Sequence, residues 1–249
     1  MQTEWIILKM LAVQFFRYIL FVGIPYLIIC KWGAHFFEKY RIQKTEITKK
    51  QIAHEIKYSM FSILIFAVMF SVLFMPEFQK FSKIYLNVND YPRWWLYGSL
   101  VYLTVFNDTY FYWLHRIIHH KSIYRLVHHT HHVSINPSPL ASYSFHPIET
   151  VLEAAWIYPA VCLAPISLDA FVIYSIISLV NNVRGHLSVD LMPQKLRTIF
   201  PFDWINTSRH HSLHHKYYTR NYGLYFLFWD RWLKTDKLSD RATDPKTES

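Results

Sequence analysis

The first 180 residues of the chain contain four long apolar segments. Residues 58–76 carry no charge, and residues 11–30 carry only Arg17. A helix needs about 20 apolar residues to cross a hydrocarbon core about 30 Å thick. Both segments are therefore predicted to span a membrane, with Arg17 near enough to one end for its long side chain to reach the headgroups.

Two further apolar segments follow. Residues 94–114 contain one acid, Asp108, and have Trp and Tyr at both ends, as helices often do at the two membrane interfaces. Residues 151–180 are too long for a single crossing and are interrupted by prolines and by Asp169. They are predicted to form either two helices that fold back near Pro165 or one span with a re-entrant piece.

These segments predict an all-α fold, namely a multi-pass membrane helical bundle with about four transmembrane helices and a cytosolic, histidine-rich helical cap. The composition agrees, because 52% of the residues are hydrophobic and only 17% are charged. Disorder requires the opposite balance. Two cysteines are too few for a disulfide framework and supply no CxxC motif.

The 26 Lys and Arg residues are distributed unevenly about the apolar segments. Residues 31–57, residues 115–146 and the chain from residue 184 onward hold 21 of them, whereas residues 1–17 and 77–93 hold 5. The positive-inside rule places the richer side in the cytoplasm and the N-terminus outside. The membrane orientation thus accounts for the basic residues behind the net charge of +9, and nucleic acid is not predicted as a partner.

Thirteen of the fifteen histidines come after residue 114 and form spaced motifs. His115 and His119 are four residues apart, which places them on one face of a helix. Two HxxHH triples follow, and each is predicted to present its imidazoles on one side of a helix. The triples are His128, His131 and His132, and His211, His214 and His215. His186 stands alone at the end of the last apolar segment.

These nine imidazoles are too many ligands for one metal ion and about right for two. Neutral imidazole is the commonest metal ligand in proteins and suits iron, zinc, copper and nickel. The alternative is a solvated or packed helix face, and the repeated triples at the ends of apolar segments argue against it. Asp108 lies two turns before His115 on the same stripe and is predicted to accept a proton from a ligating imidazole.

The motifs HRIIH (115–119), HHTHH (128–132) and HSLHH (211–215) resemble the three histidine boxes of the membrane-bound fatty acid hydroxylase and sterol desaturase superfamily. The resemblance covers residues 95–236 and includes the surrounding NDTYFYWLHR, SFHPIE and NYGLYFLFWDR. It implies a diiron centre at the cytosolic face. The ligands that it implies are His115, His119, His128, His131, His132, His186, His211, His214 and His215.

The resemblance also implies an activity, that of an iron-dependent lipid oxygenase. Such a hydroxylase or desaturase uses O2 on a C–H bond of a sterol, fatty acyl or related membrane lipid. Its electrons come from a separate electron-transfer protein, such as cytochrome b5, a ferredoxin or a reductase. The membrane is expected to be the endoplasmic reticulum in a eukaryote and the inner membrane in a bacterium. The alternatives are a membrane metal transporter or metal-binding protein, and a catalytically inactive scaffold of the same fold.

Three regions are expected along the chain. They are N-terminal transmembrane helices with a cytosolic loop (1–93), a histidine-box catalytic domain with transmembrane helices (94–237) and a polar tail (238–249). Five side chains are candidates for supporting the ligands, namely Asp108, His146, Glu149, Asn182 and Asp230. Asn182 occupies a position where related proteins can have a further histidine, so the ligand count and the reaction outcome depend on it.

The remaining histidines and several aromatic residues receive more ordinary interpretations. His120, His129 and His210 adjoin the motifs but point off the ligand stripe, which indicates a structural role, and His35 and His54 are isolated. Six aromatic residues are candidates for lining a substrate channel, with helix packing or lipid contact as the alternative. They are Phe106, Tyr110, Phe111, Trp113, Trp156 and Tyr174.

Overall fold

The computed structural model describes residues 2–238, and within them the chain is mostly helical. The α-helices are, in order, α1 (Gln2–Tyr18), α2 (Ile24–Tyr26), α3 (Ala34–Phe37), α4 (Lys49–Val72), α5 (Pro76–Gln79), α6 (Trp94–Ile118), α7 (Lys121–Val127), α8 (His129–His132), α9 (Pro147–Ala155), α10 (Ile157–Leu163), α11 (Leu168–Gly185), α12 (Ser208–Tyr217) and α13 (Phe228–Trp232). Two short strands, β1 (Ile84–Tyr85) and β2 (Ile166–Ser167), pair in parallel. Apart from Leu238, the predicted polar tail lies outside the described residues.

The first two apolar segments form long helices. α1 continues through π-helical turns at Ile19–Gly23 and Leu27–Trp32. The joined segment Thr3–Trp32 and helix α4 are the two helices in residues 2–238 that are long and apolar enough to cross a membrane. Large apolar side chains such as Phe16 and Leu64 are exposed on them, as expected for surfaces that contact lipid. The arrangement of about four spans remains a prediction.

The fourth apolar segment is divided among α9, α10 and α11. Ala164 has an extended backbone, which is the conformation favoured before proline. Pro165 has no N–H and cannot extend the hydrogen-bond ladder of α10. The strand β2 follows, and the Ser167 hydroxyl then starts α11 by accepting a hydrogen bond from the Ala170 N–H at 3.0 Å. The chain therefore forms separate helices on either side of Pro165, which both predicted alternatives require.

Two buried apolar clusters hold the long helices together. The first lies where α6, α10 and α11 meet and includes Leu103, Ile157 and Tyr174. The second joins the N-terminal helical segment, α4 and α11, and includes Val22 and Ile63. These clusters fix the helix ends from which the histidine motifs project.

Arg17 also contributes to this packing. Its Nη2 donates a hydrogen bond to the carbonyl oxygen of Ser175 in α11 at 2.6 Å. Arg17 thus has a backbone acceptor on the neighbouring helix, and its predicted reach to the headgroups stays a prediction.

The histidine motifs end up at one end of the helices. His115 lies in the last turn of α6, and His186 directly follows α11. The two HxxHH triples lie in and beside the short helices α8 and α12. Four separate elements therefore deliver imidazoles to one region.

Candidate metal centre

The nine histidines singled out in the sequence come together in two groups. The ligand nitrogens within each group lie within 4.8 Å of one another. The five-histidine group consists of His115, His119, His128, His132 and His214. The four-histidine group consists of His131, His186, His211 and His215.

Each HxxHH triple is shared between the two groups. In α8, His128 and His132 join the five-histidine group, while His131 joins the other. In α12 the division is reversed, because His211 and His215 join the four-histidine group and His214 joins the other. The prediction that each triple faces a single side is therefore too simple. The i,i+4 pair of each triple serves one group, and the odd residue serves the second.

A local capping interaction fixes the start of α12. The His210 ring and the Thr207 side chain form a capping box at the helix start, with Thr207 Oγ1 and His210 Nδ1 2.8 Å apart. His210 thus has the structural role expected of it. His120 likewise caps α7, at 3.5 Å from the Ser122 N–H, and His129 is exposed.

Most of the nine rings are oriented through Nδ1. In five of them Nδ1 faces a backbone carbonyl oxygen. The pairs are His115 with Tyr222 at 2.9 Å, His131 with Ser144 at 3.3 Å, His186 with Asn182 at 2.8 Å, His214 with Arg220 at 2.6 Å and His215 with Ser134 at 2.9 Å. A carbonyl oxygen only accepts hydrogen bonds, so each of these rings carries its proton on Nδ1 and leaves an Nε2 lone pair.

The Nε2 atoms converge at short distances. In the five-histidine group, Nε2 of His128 is 3.2 Å from that of His115 and 3.0 Å from that of His132. In the four-histidine group, Nε2 of His211 is 2.9 Å from that of His186 and 3.1 Å from that of His215. Facing lone pairs repel one another unless a cation lies between them. Two nitrogens about 2.1 Å from one metal ion and at right angles are about 3 Å apart, so the spacing fits a cation in each group.

Burial keeps these imidazoles in the form that binds metal. Eight of the nine are buried, and His119 is half-buried. Loss of solvation lowers the pKa of His186 to about 4. The pKa values of His132 and His214 are held well below the usual value, mainly by burial and to a smaller extent by repulsion from the neighbouring imidazoles. The rings are therefore neutral near pH 7, as ligation requires.

Glu149 supports one ligand directly, as predicted. Its Oε1 lies 2.5 Å from Nδ1 of His128, and both side chains are buried. Burial, together with the nearby Glu153 carboxyl, raises the pKa of Glu149. A carboxylate behind a ligating imidazole fixes the tautomer and the ring orientation. The Glu149 side chain thus provides the acceptor for the His128 Nδ1 proton, as backbone carbonyls do for the five rings above.

Asp108 acts differently from its prediction. Its Oδ1 accepts hydrogen bonds from the N–H groups of Tyr225 at 2.6 Å and of Phe226 at 3.2 Å. The prediction that it contacts a ligating imidazole is wrong, because the Nδ1 of His115 is taken by the Tyr222 carbonyl. The carboxylate instead fixes the backbone of the chain that follows α12.

Asp230 supports His115 through the same loop. Its carboxylate accepts hydrogen bonds from the N–H groups of Tyr222 at 2.9 Å and of Gly223 at 2.8 Å. Tyr222 in turn presents the carbonyl oxygen that orients His115. A Cβ on Gly223 would collide with the carbonyl oxygen of Phe226 and approach the Asp230 carboxylate, which explains the glycine.

The two other predicted supporting side chains do not enter either group. His146 caps α9, since its Nδ1 accepts a hydrogen bond from the Ile148 N–H at 3.3 Å. The Asn182 side chain donates to the Ser142 carbonyl at 2.8 Å, and it is the Asn182 backbone carbonyl that orients His186. Neither the His146 ring nor the Asn182 side chain therefore contacts one of the nine histidines, as the candidates for supporting the ligands were expected to do.

Sequence reasoning missed a second layer of support. Glu55 in α4 is fully buried and accepts hydrogen bonds from the Gln51 side chain at 2.8 Å and from Ser138. These contacts fix the chain just after α8, where the Ser134 carbonyl orients His215. In the sequence, the feature that could have indicated this role is the position of Glu55, an acid one turn before the uncharged segment 58–76.

A cavity of about 700 Å³ borders both histidine groups. This volume lies within the range of sites for small organic molecules. The other walls are mainly apolar side chains of the N-terminal helical segment, α4, α6 and α11. Of the six aromatic candidates, Phe111, Trp156 and Tyr174 line it. The other three pack elsewhere, with Phe106 against Tyr102, the Tyr110 hydroxyl on the Leu152 carbonyl and Trp113 against Trp229.

Comparison with known proteins adds to this geometry. A family model described as fatty acid hydroxylase matches residues 100–235, which contain all nine histidines. Lathosterol oxidase of Mus musculus is 35% identical over 192 residues, which are 75% of this chain and 61% of that protein. A Delta(7)-sterol 5(6)-desaturase of Gibberella zeae is 32% identical over 201 residues, covering 81% of this chain and 61% of that protein.

Lathosterol oxidase of Homo sapiens is 32% identical over 201 residues, covering 78% of this chain and 64% of that protein. The chain thus spans about three-fifths of the length of these relatives. No solved structure matches it.

The contact between Glu149 and His128 predicts a loss of metal affinity on mutation. Glu149→Ala removes the acceptor for the His128 Nδ1–H, and we expect metal affinity to fall about 10- to 100-fold. Glu149→Gln keeps an oxygen acceptor and should lose less. Competition with a graded series of chelators measures the affinity. Glu38→Ala, at an exposed carboxylate paired with Arg41, is the matched control, and wild-type affinity in Glu149→Ala would contradict this role.

The lowered imidazole pKa values predict acid sensitivity of the metal-free protein. The unfolded histidines have a pKa of about 6.5, so below that pH the unfolded chain binds more protons than the folded chain. The free energy of unfolding should therefore fall as the pH drops from about 6.5 towards 4. The raised pKa values of Glu149 and Asp230 act in the opposite sense, but nine imidazoles outnumber them. Melting temperatures across this range test the prediction, and a flat profile would refute it.

Proposed function

The chain belongs to the fatty acid hydroxylase family, and from this premise we propose that it is an iron-dependent, O2-using lipid oxygenase of the membrane. The proposed reaction is hydroxylation or desaturation at a C–H position of a sterol or related membrane lipid. The observation that carries the proposal is the convergence of nine imidazoles into two groups beside an apolar cavity. The activities named for the relatives, lathosterol oxidase and Delta(7)-sterol 5(6)-desaturase, favour a sterol.

Two bound iron ions would supply the redox chemistry by which O2 oxidises a C–H bond, with electrons from a separate protein such as cytochrome b5, a ferredoxin or a reductase. Zinc fits imidazole ligands equally well but has no redox chemistry. The five- and four-histidine groups would hold one ion each. The four-histidine group would leave more coordination positions open, because it supplies one imidazole fewer than the five-histidine group.

The protein side chains have three tasks in this proposal. Backbone carbonyls and Glu149 hold the Nδ1 protons, so the Nε2 lone pairs face the metals. The aromatic wall of the cavity, including Phe111 and Trp156, surrounds the lipid and excludes water. The acids Asp108 and Asp230 keep the loop after α12 in the shape that orients His115.

We further propose that the chain is a multi-pass membrane protein with its histidine groups on the cytoplasmic side. The spans would be the N-terminal helical segment, α4, α6 and the pair formed by α10 and α11. Apolar side chains are also exposed on the last two of these, such as Val101 (64%) on α6 and Val172 (48%) on α11. The uneven distribution of Lys and Arg supports this orientation.

The two rivals explain less of the arrangement. A metal transporter is expected to place its ligands along a path inside the spans, whereas these histidines lie at helix ends. An inactive scaffold has no need of buried imidazoles with converging Nε2 atoms, since buried polar groups without a partner are costly.

Histidine substitutions separate these functions. We expect about two irons per chain in the wild type. His131→Ala and His214→Ala each remove a ligand from a different group, so each should lose about one iron and all lipid oxidation. His129→Ala, at an exposed ring next to α8 ligands, is the matched control and should behave as wild type. Iron analysis and mass spectrometry of lipids from expressing cells provide the readouts. Less than about one metal per chain after iron loading, or full activity in the double variant, would end the proposal.

Membrane orientation is tested by cysteine labelling. Cys30 and Cys162 are the only native cysteines, and both are replaced by serine. Lys80→Cys, after α5, and Lys121→Cys, at the start of α7, then introduce single exposed thiols. An impermeant maleimide should label Lys121→Cys from the cytoplasmic face and Lys80→Cys from the opposite face. Labelling of both from the same face would contradict the topology.

A further inference from the structure

Glu153 is a carboxyl group on the cavity wall that the metal centre does not use. It lies in α9 four residues after Glu149, so both side chains share one face of the helix. The rise of an α-helix places them about 6 Å apart along its axis. Glu149 contacts His128, and both carboxyls line the cavity of about 700 Å³. Glu153 therefore faces the cavity close to the five-histidine group.

Within residues 2–238, the Glu153 carboxyl makes no hydrogen bond and no ion pair. Its titratable neighbours are Tyr110 and Glu149. The Tyr110 hydroxyl donates to the Leu152 carbonyl at 2.9 Å, and Glu149 is engaged by His128. A carboxyl group left without a partner in an apolar environment is costly, so such a group is a candidate for a contact with a ligand.

Several other polar groups of the cavity differ from Glu153 because they already have protein partners. The Asn107 amide donates to the Tyr174 hydroxyl at 2.8 Å, and the Asn181 amide donates to the Leu224 carbonyl at 3.2 Å. Arg17 donates to the Ser175 carbonyl, and Asn182 donates to the Ser142 carbonyl. Of the two cavity carboxyls, Glu149 uses Oε1 on His128, whereas both oxygens of Glu153 are left for a ligand.

We propose that Glu153 accepts a hydrogen bond from a hydroxyl group of the lipid substrate and thereby sets which carbon faces the metal centre. This inference rests on the proposed function. Since Glu153 lies one helical turn from Glu149, the carboxyl that contacts His128, the proposal requires a substrate whose hydroxyl lies close to the oxidised carbon. A sterol meets this requirement, because its ring hydroxyl lies beside the fused-ring carbons. A simple fatty acyl chain oxidised far from its polar end does not.

The inference is tested by equilibrium binding to the purified full chain in lipid nanodiscs. The ligands are a Delta(7)-sterol, its deoxy analogue without the ring hydroxyl and its methyl ether. A hydrogen bond to the Glu153 carboxyl group, which the deoxy analogue leaves unmade, should make the wild type prefer the hydroxysterol about 10-fold. Glu153→Leu should bind all three ligands about equally, and Glu153→Gln, which retains an oxygen acceptor, should keep part of the preference.

Two controls separate binding from folding. Glu77→Leu makes the same change at an exposed carboxylate on α5 and should keep the wild-type preference. Glu153→Leu should also keep the wild-type iron content, since Glu153 contacts no ligand. If Glu153→Leu does not fold, Glu153→Gln still tests the inference by its partial preference.

The outcomes distinguish this inference from the proposed function. An unchanged preference in the folded Glu153 variants, or no preference in the wild type, would overturn the role of Glu153 even if lipid oxidation is observed. A preference that depends on Glu153, in a protein that oxidises no lipid, would support the binding role and remove the proposed function.

Discussion

The arrangement depends on the burial of nine imidazoles whose unprotonated nitrogens face one another. Such a cluster repels itself unless cations occupy it, so its geometry must be imposed by the surrounding chain. Backbone carbonyls impose most of it, because each fixes a proton on Nδ1 and turns the Nε2 lone pair inward. The loop after α8 and the loop after α12 supply several of these carbonyls. Since the site is complete only in the folded chain, metal binding would also stabilise the fold.

The sharing of each HxxHH triple makes the two groups one structural unit. His128 and His132 meet His214, while His131 meets His211 and His215. α8 and α12 are thereby joined at both groups, and neither group can form without both helices. The buried acids Asp108, Asp230 and Glu55 bind backbone N–H groups or neighbouring side chains rather than ligands. Their effect on the centre is exerted through the shape of the loops.

The sequence predicted those parts of the protein that depend on local pattern. The long apolar runs became helices, and the histidine spacings correctly singled out the residues that cluster. The division into two groups was not predictable from spacing, because it depends on how α8 and α12 approach each other. Asp108 shows the same limit. In an ideal helix Asp108 lies on the same stripe as His115, as predicted. However, the Nδ1 proton of His115 is donated to the Tyr222 carbonyl, which belongs to a distant loop. Every residue has a backbone carbonyl, so the identities of the side chains do not indicate which carbonyl will orient a given histidine.

The position of α9 links substrate binding to ligand orientation. The cavity extends from the histidine groups to the apolar side chains of the N-terminal helical segment, α4 and α11. α9 begins at the His146 cap and presents Glu149 to His128 and Glu153 to the cavity. The two carboxyls lie one turn apart on the same face of α9. Any displacement of α9 would therefore change the His128 orientation and the substrate position together.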